Sequence, residues 1–449
     1  MKIKKRLTTI VSVILSVSIL ASLPVVFASA EEPNAGFMVA ADIHADGGVA
    51  DISNSKRVDD ELYFHTTIQG QMDAESIAII KAMLKSFEES DKDILLIAGD
   101  LTDGKRWSHD IVAGLFAQTE RNTGKRIFVI DGNHDIAAES SDSRIDYREF
   151  RSIYNDFGYS EALNRDENSC SYTAELEGDY RLMAIDSDIY GKDEGRIYAE
   201  RYAWITEQIA AAKRDGKHLV AMMHHSLLPH FTVQAPMITV DGGDYMSFAS
   251  YLADEGVKYV FTGHIHANDI TSATSKAGNT VYDVQTGSLI TSPNAYREVE
   301  LDTDGVKIST KYVTQIDIND LPSGYNQAQL DLISTDFPTY SRNFFELGMK
   351  LWLRRFIGSA HKVSRLFKFE EGTPEYKALD SVMSVLGDAL ELPLYEKDAQ
   401  PGKLNSIEEI AAKAGYTLPE SDYKYAYQLV AAIMGGFFRG DETITTDDV

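Results

Sequence analysis

The chain of 449 residues has one cysteine, Cys170, so no intrachain disulfide can staple it and no cage of thiolates can hold a metal. Within "ENSCSYT" that thiol has no histidine beside it, and it reads as a small semi-buried side chain. Cations are also scarce: 43 Lys and Arg stand against 69 Asp and Glu, a formal net charge of −26. Such a field repels nucleic-acid polymers and anionic membrane surfaces, so no polymeric nucleic acid is expected as a partner. A small phosphorylated molecule drawn to a bound metal is compatible with it. Long apolar runs are missing after the first thirty residues, so no later segment is expected to span a bilayer.

Residues 1–30 have their own pattern. A basic "MKIKKR" precedes the apolar "LTTIVSVILSVSILASLPVVF", and Ala28 and Ala30 stand before Glu31. This reads as a signal peptide cut after Ala30, and it predicts a secreted or cell-envelope-associated protein. Cleavage would remove Lys2, Lys4, Lys5 and Arg6 and no acid, leaving the mature chain more acidic still.

From residue 36 to about 316, short apolar runs alternate with amphipathic stretches. "GFMVAAD", "DILLIAGD", "RIFVIDGN", "YRLMAIDSD", "HLVAMMHH" and "VKYVFTGH" each carry four or more apolar residues and then a turn signal. Between them, "AESIAIIKAMLKSFEES" and "AERYAWITEQIAAAKRDG" repeat apolar residues at three and four positions, so the region reads as α/β with buried strands. "EVELDTDGVKISTKYV" reads as a hairpin turning at Asp304-Gly305. Past "NDLPSG" every pattern is helical, with Phe344, Phe345, Trp352, Phe437 and Phe438 at core-like spacing. We therefore expect an α/β domain over residues 31–318 and a smaller C-terminal all-α domain over 319–449 that ends in the acidic tail "DETITTDDV". Packing on the first domain, covering a pocket and forming a homodimer all remain open as roles for the second.

Five of the six runs finish in metal-binding residue types: Asp42-Ile43-His44, Gly99-Asp100-Leu101-Thr102-Asp103, Gly132-Asn133-His134-Asp135, His224-His225 and Gly263-His264-Ile265-His266. Of the 11 histidines, six fall in these motifs, a concentration that chance placement does not explain. The sixth run ends in Asp186, with no histidine beside it. Residues i and i+2 of an extended strand project to one face, so Asp42 with His44, or His264 with His266, could reach into one site. A nitrogen and oxygen set without thiolate suits manganese, iron or zinc. Gly99, Gly132 and Gly263 either let the backbone turn where ligands converge or are ordinary loop glycines.

The order D-x-H, G-D-x-x-D, G-N-H-D, H-H, G-H-x-H resembles that of the calcineurin-like metallophosphoesterases over about residues 36 to 300. Export and a helical C-terminal extension are similar to features of the bacterial cyclic-nucleotide phosphodiesterase branch. The resemblance implies a four-layer αββα sandwich with a dinuclear metal centre, manganese or iron before zinc. Asp42, His44 and His266 would hold one ion, Asn133, His225 and His264 the other, and Asp100 both, with His224 a neighbour of the site and no ligand.

A small phosphodiester, a cyclic nucleotide or similar, would then be cleaved by a metal-bridging hydroxide, with His134 donating a proton to the leaving group. Asp135 would either orient His134 or cap the segment "IAAES". Purple acid phosphatases carry tyrosine where this chain has Asp103, which leaves Asp103 behind a ligand or solvated in a turn. Tyr63 and His65, His230, Ser288, Asn294, Tyr296 and Arg297 lie on segments that could reach the pocket. For Arg297 a phosphate contact and a surface salt bridge are the two readings. A phosphomonoesterase or nucleotidase with the same metals is the nearest alternative, and a non-catalytic scaffold is disfavoured because every ligand position is filled.

Overall fold

Every residue of Ala35–Ala40 (β1) and Ile94–Ala98 (β2) is buried, and Arg126–Ile130 (β3) is buried after its first residue. Strands covered on both faces require such unbroken apolar runs. The computed structural model describes residues 35–440 apart from 49–51, 53–66, 68, 231–239, 241–243, 303–304, 358–369, 375, 378–388 and 396–405. The expected signal peptide, Tyr63, His65, the Asp304 turn position, the acidic tail and the Phe437 side chain lie outside the described residues.

The remaining strands are Asn164–Arg165 (β4), Tyr172–Glu175 (β5), Tyr180–Ile185 (β6), His218–Met223 (β7), Tyr259–Thr262 (β8), Asp269–Thr274 (β9), Thr280–Gln285 (β10), Ala295–Leu301 (β11) and Val306–Tyr312 (β12). One sheet runs β12-β11-β1-β2-β3 and the other β4-β5-β6-β7-β8-β10-β9. Within the first, β1, β2 and β3 are parallel; within the second, β6, β7, β8 and β10 are parallel. Parallel neighbours bring their carboxyl ends to a common edge, where ligands of open α/β sheets collect.

The sheets face one another, with Phe37 of β1 meeting Phe261 of β8 edge to face at 5.3 Å between ring centroids. Helices Ser76–Glu89 (α1) and Arg106–Thr123 (α2) share a core with the first sheet through Ile79, Met83, Phe87, Val112 and Phe116. Tyr147–Ile153 (α3) begins at Asp146, whose carboxylate accepts from the backbone N–H groups of Arg148 and Glu149. Ala199–Arg214 (α4) and Tyr245–Asp254 (α5) cover the outer face of the second sheet with Trp204, Ile205, Phe248 and Leu252. The result is a four-layer α/β sandwich. Strand alternation sorts its two cores: Leu182, Ala184, Val220 and Met222 face the other sheet, while Met183, Ile185, Leu219, Ala221 and Met223 face the outer helices.

The C-terminal segment contributes Gln327–Thr335 (α6), Phe337–Ile357 (α7), Ile407–Lys413 (α8) and Ala426–Arg439 (α9). A reciprocal box between Asn326 and Gln329 starts α6. Ile333, Phe337, Tyr340 and Phe344 join the principal core, so packing continues across the expected boundary at residue 318. Phe345 and Met349 of α7 with Ala431 of α9 make a small cluster of their own, against which Phe438 packs. Tyr325 and Tyr340 both donate to Glu75 Oε1 at 2.6 Å, tying the helical segment to the turn before α1. Among the described residues no helix is long and apolar enough to cross a membrane.

Because Glu75 is fully buried, water cannot replace a donor lost there. Tyr340→Phe is expected to cost about 1 to 3 kcal/mol in urea unfolding, with an unchanged denaturant slope.

Candidate metal centre

The candidate ligands lie just past the strands, not on them. β1 ends at Ala40 and β8 at Thr262, and Asp42, His44, Asp100, His264 and His266 have φ values of 49°, 34°, 49°, 74° and 62°. The expected projection from an extended strand is therefore corrected: these side chains are aimed by left-handed turns, a conformation that costs a non-glycine residue on the order of 1 to 3 kcal/mol. Backbone bonds hold the turns, with Asp42 N–H donating to Gly99 O at 3.1 Å and His44 N–H to Asp100 O at 3.0 Å. The His264 N–H also donates to the Asp42 carboxylate at 3.0 Å. Two glycines make room for carboxylates. A Cβ on Gly132 would lie 2.3 Å from Asp100 Oδ1, and one on Gly263 would lie 2.5 Å from Asp42 Oδ2.

Two overlapping donor groups result. In the first, His44 Nε2 lies 3.2 Å from His266 Nε2, 3.6 Å from Asp100 Oδ2 and 4.0 Å from Asp42 Oδ1, and His266 Nε2 lies 3.4 Å from Asp42 Oδ1. In the second, His224 Nε2 lies 3.2 Å from Asp100 Oδ2 and 3.0 Å from Asn133 Oδ1, while His264 Nδ1 lies 2.9 Å from Asn133 Oδ1 and 3.3 Å from His224 Nε2. Asp100 belongs to both.

The outer ring nitrogens fix which atoms face inward. His44 Nδ1 donates to Asp103 Oδ1 at 2.9 Å and His224 Nδ1 to Ala98 O at 3.0 Å, so Nε2 of each presents its lone pair, or a displaceable proton, to the cluster. Burial alone would push His44 and His224 down. Asp103, Asp100 and Asp42 around the first, and Asp100, Asp42 and Asp188 around the second, hold both up at about 10. His264 is pushed well below its usual value by burial and by His225 and His224. Burial works to raise Asp100, but His224, His134 and His44 keep it well below the ordinary carboxylate range. The cluster demands positive charge, protons on its imidazoles supply it, and a divalent cation bound by these nitrogens and oxygens would replace them. The donor set fits a borderline or hard divalent metal.

Several expectations are corrected. His225 packs beside the cluster, its ring 4.4 Å from that of His264, but turns its nitrogens elsewhere: Nδ1 meets Ser187 Oγ at 2.9 Å and Nε2 the carbonyl of Asp193 at 3.1 Å. Strand alternation explains the exchange, because even positions of β7 face the other sheet and His224 continues that set beyond Met223. Asp135 neither orients His134 nor caps a helix. Its buried carboxylate accepts from the N–H groups of Leu101, Thr102 and Gly132 at 3.0, 2.9 and 3.0 Å, bracing two motif loops together. Burial and the neighbouring Asp100 push that carboxyl up to about 8 despite the three donors.

Of the two readings of Asp103, the structure has the one behind a ligand: its carboxylate stands behind His44 and lies 3.7 Å from His134 Nδ1. The His134 side chain is 47 % exposed and packs edge-on against His44. Arg297 is neither a phosphate contact nor a surface ion pair; it is fully buried, donating to Thr310 Oγ1 at 2.9 Å and Gln285 O at 2.6 Å.

The other described residues flagged in the sequence have protein partners or are buried. Ser288 Oγ donates to the Asp42 carbonyl at 2.8 Å, Asn294 donates to Leu289 O at 2.9 Å, and Tyr296 is buried. His230 sits between Asp269 and Asp283, at 2.7 and 3.2 Å. Asp131, Cys170 and Asp186 form a separate buried group. Asp186 there already accepts from Cys170 N–H, Asp188 N–H, Tyr190 O–H and Arg201, which uses its four lone-pair sites.

Residues 36–268, more than half of the chain, match the calcineurin-like phosphoesterase family. The chain belongs to that family. Among its relatives, the cAMP/cGMP dual specificity phosphodiesterase of Mycobacterium tuberculosis is 25% identical over 175 residues, 39% of this chain and 48% of the relative. A Psychrobacter arcticus protein named "Probable cyclic nucleotide phosphodiesterase" is 30% identical over 150 residues, 33% of this chain and 48% of the relative. This calcineurin-like phosphoesterase thus spans about half the length of the relatives it matches. Its fold overlaps that of a dimetal phosphatase from Danio rerio over 63% of this chain and 97% of the other, at 12% identity and a TM-score of 0.45.

His224→Ala is expected to weaken manganese binding by about a hundredfold or more in a calorimetric titration, and His225→Ala to change it only a few-fold. A second expectation concerns His109, which is buried beneath the Asp135 brace against Thr102 Oγ1 and Tyr154 O–H. Burial, with Arg144 and Arg106 nearby, pushes it down to about 3 from 6.5. The unfolded chain takes up this proton first as pH falls, so stability present above pH 6.5 is lost progressively toward pH 3. His109→Gln should reduce the fall in unfolding free energy between pH 7 and pH 5 by about 2 kcal/mol.

Proposed function

We propose that the chain is an exported phosphodiesterase that hydrolyses a small diester, a cyclic nucleotide or similar molecule, with two divalent or transition metal ions. The observation that carries this reading is the position of Asp100 Oδ2, 3.6 Å from His44 Nε2 and 3.2 Å from His224 Nε2, where it reaches both donor groups. Asp42, His44 and His266 would hold one ion, Asn133, His224 and His264 the other, and Asp100 both. Bound there, such ions supply Lewis-acid activation of the attacking water and of the phosphoryl oxygens. Manganese or iron suits the set, with zinc the alternative.

The chain's own contribution is placement and proton transfer. His134 reaches solvent beside His44, with Asp103 Oδ1 3.7 Å from its Nδ1, and its exposed imidazole is the donor for the departing alkoxide. Asp135 keeps the Leu101 and Gly132 turns in register, so Asp100 and Asn133 face each other. Support for a diester comes from the two relatives bearing phosphodiesterase names, and support for export from the pattern of residues 1–30. The acid excess of the surface favours a small substrate over a phosphate polymer.

With manganese added, turnover of bis(p-nitrophenyl) phosphate should exceed that of p-nitrophenyl phosphate; the reverse order would assign the enzyme to the monoesterases. Asp100→Asn should lower turnover at least about a hundredfold and leave fewer than two metal equivalents by elemental analysis.

A further inference from the structure

We propose that Arg144 is a positioning residue that sets the spacing between His134 and Asp103, an inference that rests on the proton-donor role given above to His134. The Arg144 guanidinium donates through Nη1 to the Asp103 carbonyl and through Nη2 to the His134 carbonyl, both at 3.1 Å. One rigid, planar fork thus grips the main chain of the two residues whose side chains meet at 3.7 Å. A lysine ammonium is a point donor and cannot span both acceptors with the same geometry.

The neighbouring backbone is shaped to admit the fork. Gly104 has φ 77°, and a Cβ there would lie 2.4 Å from the His134 carbonyl oxygen and 2.5 Å from Arg144 Cζ. The slot exists because position 104 carries no side chain. On its other side the His134 main chain is held by its own N–H, which donates to Asp100 Oδ1 at 2.9 Å. Asp100 and Arg144 therefore clamp His134 from its two peptide groups, while the imidazole keeps solvent access. Arg144 is itself seated by a loop that α2 holds in place: its N–H donates to Ser141 Oγ at 3.0 Å, and Arg106 N–H donates to Ser143 O at 2.9 Å.

A positioning role separates from a purely structural one through leaving-group dependence. The test uses the manganese-loaded full chain with methyl p-nitrophenyl phosphate and methyl phenyl phosphate, whose departing groups need a proton to different degrees. Arg144→Ala should lower kcat on the phenyl ester about tenfold with KM and metal content unchanged, and affect the p-nitrophenyl ester within about twofold. Arg144→Lys should restore only part of the loss, and Arg144→Gln supplies the same comparison where the alanine variant is poorly folded. Combined with His134→Ala, the Arg144 substitution should add nothing. Equal losses on both esters, or full additivity with His134→Ala, would overturn the inference while leaving the proton-donor reading intact. Should His134→Ala itself leave both esters unaffected, that reading falls and this one falls with it.

Discussion

The structure depends on holding like donors together. Carboxylate oxygens and imidazole nitrogens converge within 3 to 4 Å where the carboxyl ends of both sheets meet, and there each lone pair repels the next unless positive charge lies among them. Everything around the cluster resists its dispersal. Left-handed turns aim the side chains, Gly132 and Gly263 let carboxylates approach the backbone, and Asp103 and Ala98 hold the rear of two imidazoles. Strain of this kind persists where the surroundings over-determine it, and here both sheets and their connecting loops do so.

The two sheets divide the work. β1 and β2 deliver Asp42, His44 and Asp100, β3 delivers Asn133 and His134, and β7 and β8 deliver His224, His264 and His266. No single loop carries a complete donor group, so the centre forms only when both sheets have packed. The buried ring contact of Phe37 with Phe261 joins the strand that precedes Asp42 to the strand that precedes His264. Core packing and site geometry are thus one constraint seen at two distances.

Much of this was legible in the sequence, for reasons that can be named. Fully buried strands leave uninterrupted apolar runs, so the α/β order and the location of the motifs at run ends could be read directly. The aim of each side chain was not legible. The step from His225 to His224 turns on which face of β7 looks at the other sheet, and a run that is apolar on both faces hides its parity. Asp135 escaped the sequence for a related reason: adjacency placed it beside His134, whereas the fold sends its carboxylate back into the Leu101 turn. Arg144 gave no signal at all, because its partners are backbone carbonyls. Both readings of Arg297 missed its burial, because nothing in a sequence marks an arginine that donates to a carbonyl and a threonine in the interior.

The C-terminal helices are part of this arrangement. The N–H of Asn268, two residues past His266, donates to the carbonyl of Phe438 in the last turn of α9 at 3.0 Å. A loop of the α/β region is therefore fastened by a helix that lies far later in the sequence. The turn that carries His264 and His266 emerges from the ribosome well before this backbone partner, so the bond that fastens its far side can form only after α9 has been made.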